Sequence, residues 1–394
     1  MLGCRLDSSF LQFIKVRGQF VWFWKSVNYC RRDLVVYLKD LGLSRRLYFF
    51  CFCWAVLCIL PIAARAFESV GKQAILVDAE TGGVLYEKNA DQRMFPSSMS
   101  KIMTVYKVFE SLKGGSLKIG DNFFVSENAW RKRGSKMFVQ VNSRVKVEDL
   151  IRGVIVQSGN DASIVIAEGL SGSESAFAKE LNETSELLGM HDSNFVNASG
   201  WPHPEHYTTA RDLSKLILAT ISNFPDYYHY YSQKTFTYNG IKQNNRNPAL
   251  YRNIGADGLK TGHTKAAGYG LAASAKRDDR RLILVINGVR DKRARATESE
   301  RLFDWGYRVF GNYQLFKAGE TVTDAKVWMG ETDRVPLVIE QALKLSLRKK
   351  LRKKIKVSAV FNQPVPAPIR KGDQVATLVV ELPGQSKLEV PLIA

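Results

Sequence analysis

Two segments with strand-like sequence lie far apart in the chain, and a long stretch with helical periodicity separates them. Residues 73–89, QAILVDAETGGVLYEKN, alternate apolar and polar residues on both sides of Thr81-Gly82-Gly83, which predicts a β-hairpin. Two more strands, GYGLAASAK and RRLILVINGV, are joined by the charged turn 277–280. Strands at both ends with helices between them predict an α+β fold, in which one antiparallel sheet is covered by helices and the first hairpin lies at a sheet edge.

The middle of the chain has the periodicity of helices. After Pro96, apolar residues recur at three- and four-residue steps until Gly114-Gly115, which places Ser98 in the first turn of a helix. More helix is predicted in KVEDLIRGVIVQ, DASIVIAEGL, SESAFAKELNETSELLGM and TARDLSKLILATI. A closing amphipathic helix, ESERLFDWGYRVF, is expected to pack through Leu302, Phe303, Trp305 and Phe310.

From about Tyr313 the sequence changes to short strand-like pieces with turn residues. We therefore expect two domains, a larger one over residues 67–312 that would carry the active site and a smaller all-β domain over residues 313–394. Residues 344–356, KLSLRKKLRKKIK, are strongly basic with leucines interspersed. This run fits either a solvated turn between strands or a surface that contacts anionic lipid head groups, and the sequence leaves both open.

Residues 1–66 have the composition of a targeting segment. Arg45-Arg46 precede the apolar run LYFFCFCWAVLCILPI, and AARA follows it, which predicts a signal peptide cleaved after Ala66 and a mature protein in the periplasm or on the outer face of the cytoplasmic membrane. The alternative is a retained membrane span, because the apolar run is long enough to cross a bilayer. Residues 1–40 form an unusually long leader and are consistent with a mis-assigned start.

Cysteine and charge exclude several kinds of chemistry. All five cysteines precede the predicted cleavage point, so a cysteine nucleophile, a cysteine-bound zinc and disulfides are not expected in the mature chain. The whole chain has a net charge of +19 and stays basic without its first 66 residues. An exported basic protein meets anionic wall polymers and lipid head groups rather than nucleic acid.

Ser98 and Lys101 form a Ser-x-x-Lys motif at the start of the predicted helix. A lysine three residues after a helical serine lies on the same face, and a desolvated lysine amine can act as the base that removes the hydroxyl proton. The same spacing occurs at Ser69, Ser143 and Ser346, where a capping serine and a solvated lysine are the simpler interpretation.

Two further motifs distinguish Ser98 from the other matches. Ser158-Gly159-Asn160 lies at a break between two helical segments, so its short polar side chains are expected to project from a turn. Lys260-Thr261-Gly262 is predicted to open a strand, where the glycine permits close approach of the backbone and the lysine supplies charge.

The three motifs, which lie on a helix, an inter-helix turn and a strand in this order, resemble those of the serine penicillin-binding proteins and serine β-lactamases. The segments FPSSMSKIMT, LIRGVIVQSGNDAS, NASGWPHPEHYTTARDL, DGLKTGHTKAAGYGLAASA and RATESERLFDWGYRVF are similar to the D-alanyl-D-alanine carboxypeptidase family, and the resemblance extends over residues 67–394. It implies a serine carboxypeptidase that binds penicillin and removes the terminal D-alanine of peptidoglycan stems. Gly159 stands where the β-lactamase pattern has aspartate, which favours a carboxypeptidase over a β-lactamase.

The resemblance also implies a role for each motif residue. Ser98 would attack the carbonyl between the two D-alanines, and Lys101 would take its proton. The backbone N–H groups of Ser98 and His263 would form the oxyanion hole next to Gly262. Ser158 and Lys260 would pass a proton to the departing D-alanine. The remaining implied roles are peptide binding and orientation of Lys101 by Asn160, and carboxylate binding by Thr261 and Arg246 with support from Arg295.

The sequence leaves two other functions open, an endopeptidase that cleaves peptidoglycan cross-links and a non-catalytic wall-binding scaffold. No metal or organic cofactor is expected, because Pro202 and Pro204 prevent a helix that would pair His203 with His206 as ligands. His263 is expected to act mainly through its backbone N–H. Relatives commonly continue into a C-terminal amphipathic helix, whereas this sequence stops at KLEVPLIA, so membrane anchoring also stays open.

Overall fold

The computed structural model describes residues 67–382 and 387–394. The predicted signal peptide, the alternative membrane span and the cleavage site after Ala66 lie outside these residues. Of the helices that the structure describes, none combines the length and hydropathy of a transmembrane span. Ser69–Ala394 form one compact unit.

Helices are the main regular structure between the two predicted strand regions. Their apolar periodicity and their caps account for their bounds: Thr209, for example, accepts a hydrogen bond from the backbone N–H of Asp212 at the start of one helix. The α-helices in the described chain are α1 (Lys101–Lys113), α2 (Glu127–Arg131), α3 (Val147–Ile155), α4 (Asn160–Ser171), α5 (Glu174–Leu187), α6 (Ala210–Asn223), α7 (Pro225–Tyr228) and α8 (Lys292–Val309).

The strands fall into two main sheets and three strand pairs within the described residues. They are β1 (Gln73–Asp78), β2 (Val84–Lys88), β3 (Asn122–Phe124), β4 (Arg144–Lys146), β5 (Thr235–Tyr238), β6 (Ile241–Asn244), β7 (Ala256–Thr264), β8 (Gly268–Arg277), β9 (Arg280–Val289), β10 (Phe310–Phe316), β11 (Thr321–Trp328), β12 (Arg334–Ile339), β13 (Leu343–Arg348), β14 (Lys356–Val360), β15 (Val365–Pro366), β16 (Gln374–Glu381) and β17 (Leu388–Ile393).

The first main sheet has the strand order β2-β1-β9-β8-β7. As the sequence predicts, it combines the early hairpin β1-β2 with the later strands β7, β8 and β9. Neighbouring strands are antiparallel. The predicted hairpin lies at an edge of this sheet: β2 is the edge strand, and all six residues of β1 are buried, because β9 pairs with its other side. The opposite edge is β7, so one side of its backbone remains open for hydrogen bonds.

The closing helix α8 is longer than predicted. It begins at Lys292, six residues before the predicted segment, because the Asp291 side chain caps it through the backbone N–H of Ala294 at 2.7 Å. Its first turns bury polar residues, Arg295 and Glu298 among them, which hides the helix from a search for apolar periodicity. Phe310 is buried as expected but belongs to β10 rather than to the helix.

The second main sheet, of order β14-β16-β17-β12-β11-β15, has a separate apolar core that includes Leu337, Leu378 and Leu392. The pair β10-β13 joins it to α8. The predicted domain boundary near residue 312 stays a prediction. The basic run forms the end of β13, a short 3₁₀ turn at Lys349–Lys354 and the start of β14.

Candidate active site

Ser98 lies in a single turn of 3₁₀-helix, Ser97–Ser100, that leads directly into α1. The sequence predicted the first turn of the α-helix itself, and the α-helix begins three residues later, at Lys101. In this turn the side chains of Ser97, Met99 and Ser100 are buried, whereas Ser98 is partly exposed. The turn therefore presents one hydroxyl to the cleft.

Lys101 is fully buried beside that hydroxyl. Its Nζ lies 3.1 Å from Ser98 Oγ, 2.8 Å from Asn160 Oδ1 and 2.5 Å from the carbonyl oxygen of Ser199. Burial, and to a lesser degree the positive charge of Arg246, lowers the pKa of Lys101 to about 7. A neutral amine that donates to Asn160 and Ser199 keeps its lone pair for the proton of Ser98.

The second motif lies between α3 and α4, at the break that the sequence predicts. Ser158 adopts φ +60°, an uncommon conformation for a residue other than glycine, and its side chain is buried. Asn160 begins α4 and is held through both its backbone and its side chain. Its backbone N–H donates to Ser135 O at 2.7 Å, and its Nδ2 donates to Arg133 O at 2.9 Å.

Lys260 is buried and lies on the other side of the cleft, in edge strand β7. Its Nζ is 2.9 Å from Ser158 Oγ. Burial, followed by the charges of Lys101, Arg246 and Arg295, holds the pKa of Lys260 well below its ordinary value. The strand begins at Ala256, so the motif lies in its interior rather than opening it as predicted.

Gly262 and His263 follow on the same strand. A Cβ on Gly262 would lie 2.8 Å from the carbonyl oxygen of Pro96, so glycine allows β7 to approach the turn that carries Ser98. The His263 imidazole is exposed and lies 4.0 Å from the Tyr269 ring, centroid to centroid. Partial desolvation is the main cause that lowers the pKa of His263.

The charges of both candidate arginines lower the pKa of Lys260, and that of Arg246 lowers the pKa of Lys101 as well. Arg246 Nη1 donates to Ser135 Oγ at 2.5 Å. Arg295 is buried and donates to the carbonyl oxygens of Gly270 and Arg246, at 3.3 and 3.4 Å. Arg295 thus contacts the backbone that carries Arg246, and burial lowers its pKa to about 10. Thr261, the remaining candidate, is buried in β7.

The profile of the D-alanyl-D-alanine carboxypeptidase family matches residues 62–291, which is more than half of the chain. The chain belongs to the D-alanyl-D-alanine carboxypeptidase family. The profile of the C-terminal domain of penicillin-binding protein 5 matches residues 310–394. The family predicted from the sequence is confirmed.

Individual relatives agree with the family assignment. D-alanyl-D-alanine carboxypeptidase DacC of Escherichia coli (strain K12) is 39% identical over 327 residues, which are 81% of this chain and 82% of that protein. The crystal structure of penicillin-binding protein 5 from Haemophilus influenzae has a TM-score of 0.76 at 34% identity and covers 84% of this chain and 98% of its own. Penicillin-binding protein D2 from Listeria monocytogenes, solved with ampicillin bound, has a TM-score of 0.57 at 30% identity over 61% of this chain and 99% of its own. The predicted fold class is confirmed.

In this member of the carboxypeptidase family, sequence reasoning missed a carboxylate next to the middle motif. Asp161 accepts hydrogen bonds from the backbone N–H groups of Met137, Phe138 and Val139, at 2.8, 2.9 and 3.3 Å. A Cβ on Gly159 would lie 2.9 Å from Asp161 Oδ1, so glycine leaves room for this anchor. An acidic residue in the first turn of a predicted helix was the available signal.

Sequence reasoning also missed Ser199 and Gly200. Ser199 contributes a backbone carbonyl, which leaves no trace in the side-chain pattern. Gly200 has φ +73°, and a Cβ there would lie 1.9 Å from Ser97 O, so this segment packs directly against the turn of the candidate nucleophile. Only the dipeptide Ser-Gly in NASGW hinted at a backbone position that requires glycine.

His206, considered for a metal site, is buried within the protein core instead. Its Nδ1 accepts the backbone N–H of Val196 at 3.3 Å, so Nε2 carries the proton and donates to Ser100 Oγ at 2.7 Å. Burial lowers the pKa of His206 to about 4. Both ring nitrogens are therefore used in hydrogen bonds, and His203 makes a separate contact, accepting the backbone N–H of Glu205 at 3.1 Å.

Proposed function

We propose that this protein is a serine D-alanyl-D-alanine carboxypeptidase that removes the terminal D-alanine from peptidoglycan stem peptides through an acyl-enzyme on Ser98. The observation that carries the proposal is the 3.1 Å contact between Ser98 Oγ and the buried Lys101 Nζ, together with a lysine pKa of about 7. A serine hydroxyl is a weak nucleophile until a base takes its proton, and a half-neutral lysine at hydrogen-bond distance meets that need.

The acylation step follows from the contacts of Lys101. Its lone pair takes the Ser98 proton while Ser98 Oγ bonds to the carbonyl carbon of the penultimate D-alanine. The carbonyl oxygen becomes negative and is stabilised by the backbone N–H groups of Ser98 and His263, of which the latter lies on the open edge strand β7. Gly262 lets this strand come close enough to the turn of Ser98 for the two donors to converge.

Departure of D-alanine requires a proton on its nitrogen. We assign this step to Ser158 and Lys260, whose 2.9 Å contact lets the Ser158 hydroxyl donate its proton and regain one from Lys260. Arg246 and Thr261 bind the terminal carboxylate, and Arg295 holds the backbone of Arg246 in place. Water then attacks the ester carbon, Ser98 Oγ leaves with the proton held by Lys101, and the proton lost by the water restores Lys260 through solvent. The shortened stem is released.

A penicillin would acylate the same hydroxyl, because its strained amide mimics the D-alanyl-D-alanine bond and its ring retains the leaving group. The experiment that tests the proposal is intact-mass detection of a benzylpenicillin adduct, followed by peptide mapping. We expect one adduct on the peptide that contains Ser98 and none in Ser98→Ala. An adduct that persists in Ser98→Ala would overturn the assignment, and Ser143→Ala, at another Ser-x-x-Lys match, is the matched control.

Free D-alanine discriminates among the functions that the sequence left open. A carboxypeptidase releases it from a pentapeptide stem, whereas an endopeptidase releases a stem from a cross-linked dimer and a scaffold releases neither. We expect D-alanine from the pentapeptide as the main product. A greater rate on cross-linked dimers would favour the endopeptidase.

We further propose that the protein acts outside the cytoplasmic membrane and that its basic turn, residues 348–356, contacts anionic lipid head groups. The sequence from 341 to 372 contains no aspartate or glutamate. All seven cations of the turn are exposed, and within the described residues none of them forms a salt bridge: Arg348, Lys349, Lys350, Arg352, Lys353, Lys354 and Lys356. Each charge near an anionic membrane surface contributes roughly 1 kcal/mol.

Vesicle binding tests this second proposal. The triple substitution Lys350→Ala, Lys353→Ala and Lys354→Ala is expected to weaken binding to vesicles with anionic phospholipid by at least tenfold. Neither the wild type nor this variant is expected to bind neutral vesicles. The control removes the same charge at three other exposed lysines, Lys118, Lys179 and Lys326. Equal losses in the two triple variants would reduce the effect to net charge and contradict a specific surface.

A further inference from the structure

A groove runs beside the amino-terminal end of helix α8, and we call it the α8 groove. It consists of two adjoining cavities of about 670 and 580 Å³, which share Val70 and Lys72 in their walls. The lining includes none of the residues that are proposed for acyl transfer. The α8 groove is therefore a separate feature from the catalytic cleft.

Positive charge dominates the wall of the α8 groove. Two carboxylates, Asp291 and Glu298, face six cations: Lys72, Lys88, Arg93, Arg290, Arg293 and Arg301. Three of the cations already form salt bridges: Arg93 with Asp192, Arg290 with Asp291 and Arg301 with Glu298. Arg293 is exposed and forms no salt bridge within the described residues. A cleft lined mainly by charges of one sign concentrates their field, so the groove attracts anions.

Lys72 is held where the two cavities meet. Its backbone N–H donates to Asn287 O at 2.8 Å, and its carbonyl oxygen accepts a hydrogen bond from Asn89 Nδ2 at 2.9 Å. The aliphatic part of its side chain lies over Gly288, where an added Cβ would come within 2.6 Å of Lys72 Cβ. The side chain is exposed, and in the part of the chain that the structure describes its ammonium group has no partner. The amine is therefore positioned in the groove and available to a ligand.

Side-chain amides form a hydrogen-bonded chain along the second cavity. Asn287 Nδ2 donates to Gln73 Oε1 at 3.3 Å, and Gln73 Nε2 donates to Gln92 Oε1 at 2.9 Å. Gln92 is exposed, and its Nε2 ends this chain as a donor that has no acceptor among the described residues. None of the described residues that line this cavity is acidic. An amide donor beside cations suits a ligand that carries neutral oxygens as well as negative charge.

We propose that the α8 groove binds an acidic polysaccharide, a chain of sugars that carry carboxylate groups. Lys72 and Arg293 bind the carboxylates through charge-assisted hydrogen bonds, and Gln92 donates to a sugar oxygen. Two cavities that meet at Lys72 suit neighbouring units of a chain better than a single small anion. The site goes beyond the proposed function, because it would hold the protein on an acidic strand while the separate cleft acts on stem peptides.

Titration calorimetry with tetragalacturonate, four sugars that each carry a carboxylate, tests the proposal at low ionic strength. The double substitution Lys72→Ala and Arg293→Ala should raise the Kd by at least about tenfold, because each lost cation removes one contact with a carboxylate. The matched control, Lys118→Ala with Lys179→Ala, removes the same charge at two other exposed lysines and should change the Kd by less than about twofold. Equal losses in the two variants, or no binding by the wild type, would overturn the proposal.

Gln92→Ala separates recognition of the sugar from attraction by charge. It should raise the Kd for tetragalacturonate by about threefold, through loss of one hydrogen bond, and leave the Kd for a polyphosphate of four phosphates unchanged. Polyphosphate that binds as tightly as tetragalacturonate, with the same losses in every variant, would overturn the saccharide assignment.

The basic turn is the other exposed cationic surface that could bind the probe. Lys350→Ala with Lys353→Ala removes two charges there and should leave the Kd for tetragalacturonate within about twofold of the wild type. A larger loss in this variant than in Lys72→Ala with Arg293→Ala would place the binding site on the basic turn and contradict the α8 groove.

Penicillin adduct formation on Ser98 keeps this inference apart from the proposed function. Its rate in the Lys72→Ala and Arg293→Ala variant should stay within about twofold of the wild type, because neither side chain lines the cleft. A wild type that forms the adduct but does not bind tetragalacturonate would overturn the inference alone. A wild type that binds tetragalacturonate but forms no adduct would overturn the proposed function and support the groove.

Discussion

The cleft around Ser98 and the basic turn, residues 348–356, are both rich in cationic side chains, yet their environments are opposite. Lys101 and Lys260 are buried, and desolvation is the largest cause that lowers the pKa of each. The lysines of the basic turn are exposed, and the turn has no buried residue. The comparison teaches that the fold lowers the pKa of a lysine where it removes water, as the proposed base requires, and that an exposed lysine lacks this desolvation.

The largest predicted effect tests this comparison by removing one lysine amine from each region and measuring acylation of Ser98. Lys101→Ala should reduce the rate of Ser98 acylation by at least a thousandfold, nearly as much as Ser98→Ala, because Lys101 is the proposed base and, among the described residues, the side chain that contacts Ser98 Oγ. Lys350→Ala removes the same side chain from the basic turn and should change the rate by less than about twofold. The measurement is the rate of penicillin adduct formation by mass spectrometry.

Lys101→Arg makes the first prediction stricter. It keeps a positive charge and a donor but cannot provide a neutral lone pair, so it should be as inactive as Lys101→Ala. Full adduct formation in either Lys101 variant, with an unchanged melting temperature, would rule out the proposed base.

The second comparison concerns packing around the cleft. Gly200→Ala places a Cβ 1.9 Å from Ser97 O and retains φ +73°, so it should destabilise the protein by about 2–4 kcal/mol and slow acylation by displacing the turn of Ser98. Gly82→Ala has nearly the same φ, +67°, but no atom within 4 Å of the added Cβ. It should cost only about 1–2 kcal/mol and leave acylation unchanged.

Denaturant unfolding and adduct formation together check the packing prediction. The difference between the two glycine variants isolates the steric contact from the backbone conformation that both share. Equal destabilisation of the two variants would show that the close approach of Gly200 to Ser97 O does not contribute to the loss of stability in Gly200→Ala.

The elements that could be predicted from the sequence are those in which the pattern of apolar and polar side chains matches the pattern of burial. The period of residues 99–112 predicts α1, and the alternation around Thr81-Gly82-Gly83 predicts β1 and β2. The structure also brings Ser98, Lys101 and Asn160 together as the motifs predict, although their catalytic roles stay predictions. The start of α8 was missed because its buried face is polar there, at Arg295 and similar residues.

What the sequence does not reveal acts through the backbone or through distance along the chain. The carbonyl oxygen of Ser199, which contacts Lys101, has no side-chain signature. Asp161 binds a loop that lies more than twenty residues earlier, and only the folded chain shows this contact. The burial that lowers the pKa of Lys101 is equally invisible, because it depends on how α1, α4 and the 198–200 segment pack together.

The last and smallest predicted effect is a shift in the pH dependence of acylation. The neutral form of Lys101 is the active one, so the rate should rise with pH through a midpoint near 7, where protonation of the lone pair is half complete. Arg246 is the largest charge that lowers this pKa, so Arg246→Ala should move the midpoint upward. Glu174 acts in the opposite direction, and Glu174→Gln should move it downward.

The two substitutions together separate electrostatics from substrate binding. Arg246 is also proposed to bind the terminal carboxylate, so its loss weakens binding at every pH, whereas the midpoint reports only the proton on Lys101. Opposite shifts in the two variants would tie the profile to Lys101 rather than to Lys260, because Arg246 lowers the pKa of both lysines whereas Glu174 is a cause for Lys101. A midpoint that stays fixed in both variants would assign the titration to a different group and remove the distinction drawn between the buried and the exposed lysines.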